Sequence, residues 1–469
     1  MKVSKNTQGL QKTKYLGSKA ESKMESKDKC GAHRVITATT RAEADVLEYG
    51  SLERILSSEN IKLAYKRVVS NKGKPGIDRM TVYEFKQFLK DNWLTIKENI
   101  FKGKYKPTAV RRVEIPKPNG GIRLLGIPTV LDRLIQQAIA QELNKIYDED
   151  FSTSSYGFRP NRSAHDAIKQ AENYINKGNR WVVDIDLEKF FDKVNHDILM
   201  YKLSKKIKDK RVLKLIRAYL TSGVMINGQF NRTVKGTPQG GPLSPILSNI
   251  ILDDLDKELE RRGHKFCRYA DDCNIYVKSE RAGKRVIESI TLFIEKKLKL
   301  KINKDKSAVA RPWKRKFLGF SFYWARYSAK IRVSAQAVNR YKDKVRKITS
   351  RSKPFTIEER IRKLNLLNRG WINYFGIANC KGIIKRFEIW IKQRLRMCIW
   401  KQWKKVRTRY KNLRKLGYTH NQALKYANTR KGYWRIANSP ILQTTMNNQF
   451  FKTVGLYSLS AKYMKVHNS

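Results

Sequence analysis

The sequence predicts an α+β protein, in which strand-like segments and amphipathic helices alternate up to about residue 325 and helices fill the remainder. Two hairpin-like segments, at residues 108–128 and 266–277, and the β-branched run at residues 181–186 predict strands. Between these strands, apolar residues recur with the spacing of helices. Beyond residue 310, Lys and Arg alternate with aromatic residues, which favours a helical region that binds nucleic acid.

The charge of the chain indicates which partners it binds. Its 469 residues are enough for about two to four domains, and 41% hydrophobic residues are typical of a globular protein. Lys and Arg number 100 against 41 Asp and Glu, a net charge of +59. Such a charge favours nucleic acid or an anionic membrane surface. Since no apolar run could span a bilayer and no signal peptide is evident, we expect nucleic acid, no membrane, and a cytoplasmic, nucleoid-associated location.

The positive charge is concentrated near the C-terminus. Residues 311–469 contain 39 Lys and Arg against 4 Asp and Glu, a net charge of +35. Five scattered cysteines form no Cys-x-x-Cys pair and no Cys/His cluster with zinc spacing; they are Cys30, Cys267, Cys273, Cys380 and Cys398. We therefore expect reduced, mostly buried thiols, no structural zinc, and no C-terminal zinc-bearing nuclease module.

The elements follow from local patterns. Residues 1–50 are polar and rich in Lys and Ser, which predicts a flexible basic leader. Helical spacing begins at Ser51, and the glycine- and proline-containing segment 72–78 then breaks it. Two strands flank a turn at residues 117–121. Further helices are predicted over residues 131–146, 164–175, 187–199, 246–255 and 286–298, and a further strand over residues 317–322.

Asp271 and Asp272 lie at the tip of the second predicted hairpin. Adjacent carboxylates repel each other, and a divalent cation is the usual reason for such a pair. Two ions about 3.5–4 Å apart clamp the attacking and leaving oxygens in polymerases and nucleases. The alternative is an exposed acidic turn. Two-residue periodicity places Asp184 and Asp186 on one face of the preceding strand, so the pattern alone does not decide which of them joins the pair.

Six motifs occur in a fixed order along the chain: Arg112–Pro118, Tyr156–Pro160, Asp186–Asp192, Thr237–Pro242, Tyr269–Asp272 and Lys316–Phe320. Together they resemble the motifs of bacterial group II intron reverse transcriptase/maturases, and within these the compact group IIC-type proteins that lack an endonuclease domain. The resemblance runs from about residue 51 to the C-terminus.

The resemblance implies a right-hand polymerase with fingers, an antiparallel-sheet palm, a helical thumb and a basic helical C-terminal extension. It divides the chain into a leader (1–50), an N-terminal extension and fingers (51–105), reverse transcriptase fingers and palm (106–324), a thumb or maturase X domain (325–415) and a DNA-binding domain (416–469).

The resemblance also assigns roles to individual residues. It implies that Asp186, Asp271 and Asp272 are catalytic carboxylates that bind two Mg²⁺ ions, for which Mn²⁺ could substitute. The family's spacing from this ligand to an aromatic residue five positions later favours Asp186 over Asp184. The resemblance further implies that the dNTP is bound by Lys117, Arg123, Phe191 and Gln239, and that Lys306 acts in catalysis.

The implied dNTP site has specific parts. Lys117 and Arg123, on the two sides of the fingers hairpin, would clasp the triphosphate, unless they are merely solvated charges. Phe191 would act as a steric gate under the sugar; the alternative is a core aromatic, which we expect of Phe190. Gln239 lies in the loop that contacts the nascent base pair. Lys306 would protonate the departing pyrophosphate or only bind phosphate.

The function implied by this resemblance is that of an RNA-directed DNA polymerase encoded by a group II intron. It would copy intron RNA into DNA during retrohoming and assist splicing, with intron RNA, target DNA, a primer and dNTPs as partners. The alternatives are a non-catalytic splicing cofactor and a stand-alone reverse transcriptase of a defence or diversity-generating system. A folded intron in the flanking DNA would distinguish them. The oligomeric state is left open.

Overall fold

The computed structural model describes residues 49–116, 120–226, 229–231, 235–237 and 240–468. The predicted leader up to residue 48, Lys117 and Gln239 lie outside the described residues. The four cysteines within these ranges are free and buried, as predicted. None of the described helices has both the length and the apolarity that crossing a membrane requires.

The N-terminal part consists of three helices, α1 (Leu52–Ile55), α2 (Ser58–Ser70) and α3 (Phe85–Phe101). A new helix, α2, begins after α1 because Ser57 caps it: the Ser57 side chain accepts a hydrogen bond from the backbone N–H of Asn60. The buried Asn60 amide in turn donates to the carbonyls of Ile55 and Ala138. This contact fixes the N-terminal helices on α4 (Val130–Tyr147).

The predicted fingers hairpin is confirmed. Strands β1 (Val110–Pro116) and β2 (Ile122–Ile127) pair antiparallel. Strand β4 (Val224–Ile226) extends this sheet parallel to β1, and β5 (Gln229–Asn231) pairs with β4.

The central sheet is antiparallel throughout, as the palm prediction requires. Its strand order is β6 (Lys265–Tyr269), β7 (Asp272–Val277), β3 (Trp181–Ile185) and β8 (Ala308–Ala310). Alternate residues of β3 face opposite sides. Val183 and Ile185 belong to the core shared with α4, whereas Val182 belongs to a second core shared with the C-terminal helices. The sheet is therefore packed on both faces.

Helices surround this sheet: α5 (Ala164–Asn176), α6 (Phe190–Lys193), α7 (His196–Ser204), α8 (Lys210–Thr221), α9 (Ser244–Arg261) and α10 (Glu280–Phe293), which continues as a π-helical turn (Ile294–Leu298). The single helix predicted over residues 187–199 is wrong. Lys189 has a φ of +47°, and the side chain of Asn195 accepts hydrogen bonds from the backbone N–H groups of Asp197 and Ile198. This cap starts a separate helix.

The strand predicted over residues 317–322 begins later than predicted. Leu318 and Gly319 have φ values of +52° and +83° and form a turn. Strand β9 (Phe320–Ala325) follows this turn and pairs with β10 (Ser328–Val333). A hydrophobic pattern does not indicate left-handed backbone at a leucine, although the resemblance implies a turn at Leu318–Phe320, where the structure has one.

The C-terminal part is entirely helical after β10, as predicted: α11 (Ala335–Ile348), α12 (Ile357–Phe375), α13 (Lys381–Gln402), α14 (Val406–Lys415), α15 (His420–Ala427), α16 (Tyr433–Ala437), α17 (Pro440–Thr445), α18 (Asn448–Thr453) and α19 (Leu459–Asn468). Tyr341, Trp371 and Phe387 form its aromatic centre, with ring centroids 4.6–5.4 Å apart. Leu413 and Ala423, which lie on either side of the predicted boundary between thumb and DNA-binding domain near residue 415, belong to one hydrophobic core. That boundary stays a prediction.

Candidate active site

The acidic pair lies in a tight turn between β6 and β7. Asp271 is in the two-residue turn, and Asp272 is the first residue of β7, opposite Tyr269. Ala270 has a φ of +58°, the sign that two-residue hairpin turns require at their first central position and an uncommon one for a residue other than glycine. A Cβ at Gly157 would lie 2.3 Å from the Ala270 nitrogen. Only glycine therefore fits behind this turn.

The sheet register brings three predicted carboxylates to one end of the palm. Ile185 pairs with Cys273, so the next position along the ladder places Asp186 opposite Asp272. Burial, followed by the charges of Asp271, Asp184 and Asp186, raises the pKa of Asp272 to about 7. Burial also raises the pKa of Asp271, with a contribution from Asp186.

A divalent cation would relieve the repulsion between these carboxylates, of which Asp186 and Asp271 are half-buried and Asp272 is exposed to solvent. Hard oxygen ligands suit Mg²⁺ or Mn²⁺. Within the described ranges, no three acidic, His or Cys side chains are arranged to hold one ion. The donor set fits such an ion in its chemistry, since all three side chains offer carboxylate oxygens.

Asp184 and Asp186 have different environments. The Nε and Nη2 atoms of Arg315 lie 2.9 and 2.6 Å from Oδ2 of Asp184, so this carboxylate already has a cationic partner. Asp186 Oδ2 has Nζ of Lys306 at the longer distance of 3.5 Å. This difference favours Asp186 as the metal ligand, as the resemblance implies.

Lys306 lies at the carboxylates because its loop is fixed to the end of β3. The backbone N–H of Asn303 donates to the Asp186 carbonyl over 2.8 Å, and the backbone N–H of Asp186 donates to Ser307 Oγ over 3.0 Å. Arg315 also donates to the Lys306 carbonyl. The structure thus places this sequence-predicted lysine at the cluster.

A cavity of about 570 Å³ lies between the fingers hairpin and the palm, and Arg123 and Phe191 line it. The charge of Arg123 opposes the rise in the pKa of Asp271, so the two residues are close. Phe191 is partly exposed, whereas Phe190 is 2% exposed and belongs to the core, as predicted. The two rings contact each other with centroids 5.1 Å apart.

Two other residues line this cavity: Gly240, in the loop that the resemblance places at the nascent base pair, and Phe158, to which the sequence analysis gave no site role. Gly240 has a φ of +124°, and a Cβ there would lie 2.4 Å from the Gly126 carbonyl oxygen. Its glycine therefore permits the loop to approach β2 closely. Phe158 has a φ of +60° and is 46% exposed. The glycines of the Thr237–Pro242 motif indicated a close approach of the backbone at Gly240. Nothing in the sequence indicated the positive φ of Phe158.

Sequence reasoning also missed a buried arginine behind the acidic turn. Arg268 is 0% exposed, and its guanidinium forms an ion pair with Asp256, with Nη2 2.5 Å from Oδ2 and Nε 2.7 Å from Oδ1. Its Nη1 donates to the Ala270 carbonyl and to Asn249 Oδ1, each over 3.0 Å, and Nη2 donates to Ser155 Oγ over 2.8 Å. The signal available was a charged residue inside an apolar strand.

The raised pKa of Asp272 predicts a pH-dependent stability without divalent ions. Because the folded-state pKa is about 7 and the ordinary value is 3.8, protonated Asp272 supports folding below pH 4, and this contribution is lost as pH rises to about 7. We expect Asp272→Asn to melt at a higher temperature than the parent at pH 8 in chelator. The difference should shrink as pH falls towards 4. Equal melting temperatures at pH 8 would contradict the raised pKa.

Two family models match regions of this chain. The model of the reverse transcriptase (RNA-dependent DNA polymerase) family matches residues 115–322, and that of the group II intron maturase-specific domain matches residues 338–417. Protein YkfC of Escherichia coli is 33% identical over 55% of this chain and 78% of its own length. The group II intron-encoded protein LtrA of Lactococcus lactis is 32% identical over 55% of this chain and 54% of its own length.

Among solved structures, telomerase from Candida albicans overlaps 75% of this chain and 71% of its own, with 14% identity and a TM-score of 0.40. The family assignment rests instead on the two regions matched by family models and on the similarity to YkfC and LtrA. The chain belongs to the family of group II intron reverse transcriptase/maturases.

Proposed function

We propose that this chain is the RNA-directed DNA polymerase of a group II intron and copies intron RNA into DNA during retrohoming. The observation that carries the proposal is the meeting of Asp186, Asp271 and Asp272 at one end of the palm sheet, within the region matched by the reverse transcriptase family. Reverse transcriptases use divalent metal ions, and we propose Mg²⁺ for this one.

Each residue of the site has a role in this proposal. Asp186, Asp271 and Asp272 would hold two divalent ions, which when bound activate the primer 3′-hydroxyl and neutralise charge on the leaving pyrophosphate. Arg123 would donate hydrogen bonds to the triphosphate, for which its planar guanidinium is suited. Lys117 would act with it from the other side of the hairpin.

Two further roles concern the sugar and the leaving group. Phe191, which lines the cavity, would lie under the sugar and exclude a 2′-hydroxyl. Lys306, whose Nζ is 3.5 Å from Asp186 Oδ2, either protonates pyrophosphate or binds its charge. Gln239 is proposed to contact the nascent base pair.

Primer extension tests the catalytic proposal. We expect the purified chain to extend a DNA primer on an RNA template with dNTPs and Mg²⁺ and to stop when a chelator is added. Absence of extension on several RNA templates would leave the non-catalytic splicing cofactor as the better account.

The match to the maturase-specific domain at residues 338–417 supports a second function. We propose that the chain also assists splicing of its intron. Splicing of the flanking intron RNA should be faster with the protein than without it, and Asp272→Asn should retain this effect because the basic C-terminal part is unchanged. Equal splicing rates with and without protein would contradict it.

Phe191→Ala should relax the choice between deoxy- and ribonucleotides. Removing the ring leaves space for a 2′-hydroxyl, so we expect ribonucleotide incorporation relative to dNTP to rise by at least about tenfold, roughly 1.4 kcal/mol of lost discrimination. Competition between one dNTP and its rNTP on a single template measures the ratio. Phe191→Tyr retains the ring and should leave the ratio near that of the parent. An unchanged ratio in Phe191→Ala would exclude Phe191 as the gate.

A further inference from the structure

Three tryptophans and two arginines, each exposed or half-buried, form a surface where strand β3 begins. The aromatic–arginine patch, as we call it, consists of Trp181, Trp313, Trp324, Arg180 and Arg311. The Arg311 guanidinium carbon lies 4.4 Å from the ring centroid of Trp181 and 5.6 Å from that of Trp313. The Arg180 guanidinium carbon lies 4.6 Å from the Trp324 centroid. Arg311 Nη1 donates to the Arg180 carbonyl over 3.4 Å, which joins the two halves of the patch.

Two of the three rings of this patch are exposed, although tryptophan is usually buried to a large extent; the third, Trp181, is half-buried and packs against the core. Trp313 is 36% exposed and Trp324 is 39% exposed. Next to Trp324, at the tip of the β9–β10 hairpin, Tyr327 is 95% exposed. In the part of the chain that the structure describes, Trp434 is the other tryptophan with comparable exposure. Two of three exposed tryptophans thus lie in one small area.

The charge of the patch indicates the kind of ligand. Neither Arg180 nor Arg311 forms an ion pair with a carboxylate among the described residues. A guanidinium stacked on a ring keeps its N–H donors in its own plane, where they can bind a phosphate. Aromatic rings stack on bases, and this combination is typical of surfaces that bind single-stranded nucleic acid. A second copy of a chain with net charge +59 would be repelled.

The patch is distant from the carboxylates. Trp181 is the first residue of β3 and pairs with Val277, whereas Asp186 follows the other end of the strand and lies near Asp272. Five residues of strand span about 17 Å. The patch and the carboxylates therefore lie at opposite ends of this strand.

We propose that the aromatic–arginine patch binds unpaired RNA bases and their phosphates, at a site separate from the template–primer cleft. Unpaired segments are the part of RNA whose bases can stack on aromatic side chains. That this RNA is an unpaired segment of the intron rests on the proposed function; the binding of single-stranded RNA does not.

The test uses the full chain with its cleft filled. The protein is first bound to an RNA template with a dideoxy-terminated DNA primer, the next dNTP and Mg²⁺, and a fluorescent 20-nucleotide unpaired RNA is then titrated by anisotropy. We expect Trp313→Ala/Trp324→Ala to weaken binding of this RNA by at least about tenfold, as expected for losing the stacking of a base. Arg180→Glu should weaken it similarly, and each variant should extend an unblocked primer at the parental rate.

Tyr201→Ala is the matched control, because Tyr201 is also exposed (63%) and has Lys205 Nζ 4.6 Å from its ring centroid, but lies outside the patch. It should bind the RNA within about twofold of the parent. If the tryptophan variant loses primer extension through misfolding, Arg180→Glu decides, since this side chain is exposed.

Three results would overturn the proposal. One is parental RNA binding by Arg180→Glu or by a folded tryptophan variant. Another is equal binding of an RNA duplex of the same length, since this would show attraction by charge without stacking. The third is a loss of self-association in the variants with unchanged RNA binding, which would make the patch a contact between copies. If the parent protein has no polymerase activity but still binds the unpaired RNA through the patch, the result counts against the proposed function alone.

Discussion

Asp271→Asn and Asp272→Asn should each reduce RNA-templated DNA synthesis by about 1,000-fold or more. Each substitution removes a negative oxygen from the end of the palm sheet where Asp186 also lies. Stabilisation of transition-state charge by such bound ions is worth several kcal/mol, and about 4 kcal/mol corresponds to a factor of 1,000. Single-turnover primer extension at saturating dNTP measures the loss.

RNA binding by these variants should remain near the parental level, because phosphate contacts from Lys and Arg provide most of the affinity. Asp197→Asn is the matched control: its carboxylate is 80% exposed and pairs with Arg217 on the surface. It should polymerise like the parent. Near-parental synthesis by Asp271→Asn would show that the turn is only an acidic surface turn, the alternative that the sequence left open.

Local sequence patterns predicted the frame of the site well. The two hairpins, the strand before Asp186 and the helix at Val130–Tyr147 follow from two-residue or helical periodicity. The position of the acidic pair at a hairpin tip followed from the strand-like runs on either side of it. These features depend on neighbours in sequence, which is why they could be predicted.

Contacts between distant segments could not be predicted in this way. Periodicity gave Asp184 and Asp186 the same face, and it is Arg315, 131 residues along the chain from Asp184, that distinguishes them. The predicted helix 187–199 failed because the side chain of Asn195 caps a new helix within an apolar pattern. Arg268 has the pattern of an ordinary strand residue, and its contacts with Asp256 and the Ala270 carbonyl do not follow from strand periodicity.

Asp256→Ala should destabilise the protein by about 3–5 kcal/mol, because it leaves the Arg268 charge buried without a counter-ion. Both side chains are 0% exposed. Chemical denaturation should show this loss of unfolding free energy. Lys257→Ala, at the neighbouring exposed position whose ion pair lies on the helix surface, should change stability by less than about 1 kcal/mol.

The double variant Asp256→Leu/Arg268→Met separates stability from positioning of the acidic turn. Removing both charges should restore part of the stability that Asp256→Ala loses, since apolar replacement of a buried ion pair is often tolerated. It also removes the donor to the Ala270 carbonyl, which lies next to Asp271 in a turn whose φ is +58°. We therefore expect the folded double variant to polymerise at least about tenfold more slowly than the parent and to need more Mg²⁺ for half-maximal activity, because the carboxylates no longer have a fixed position. If it regains stability and also has the parental rate and Mg²⁺ dependence, Arg268 serves only the packing of the palm and does not position the turn.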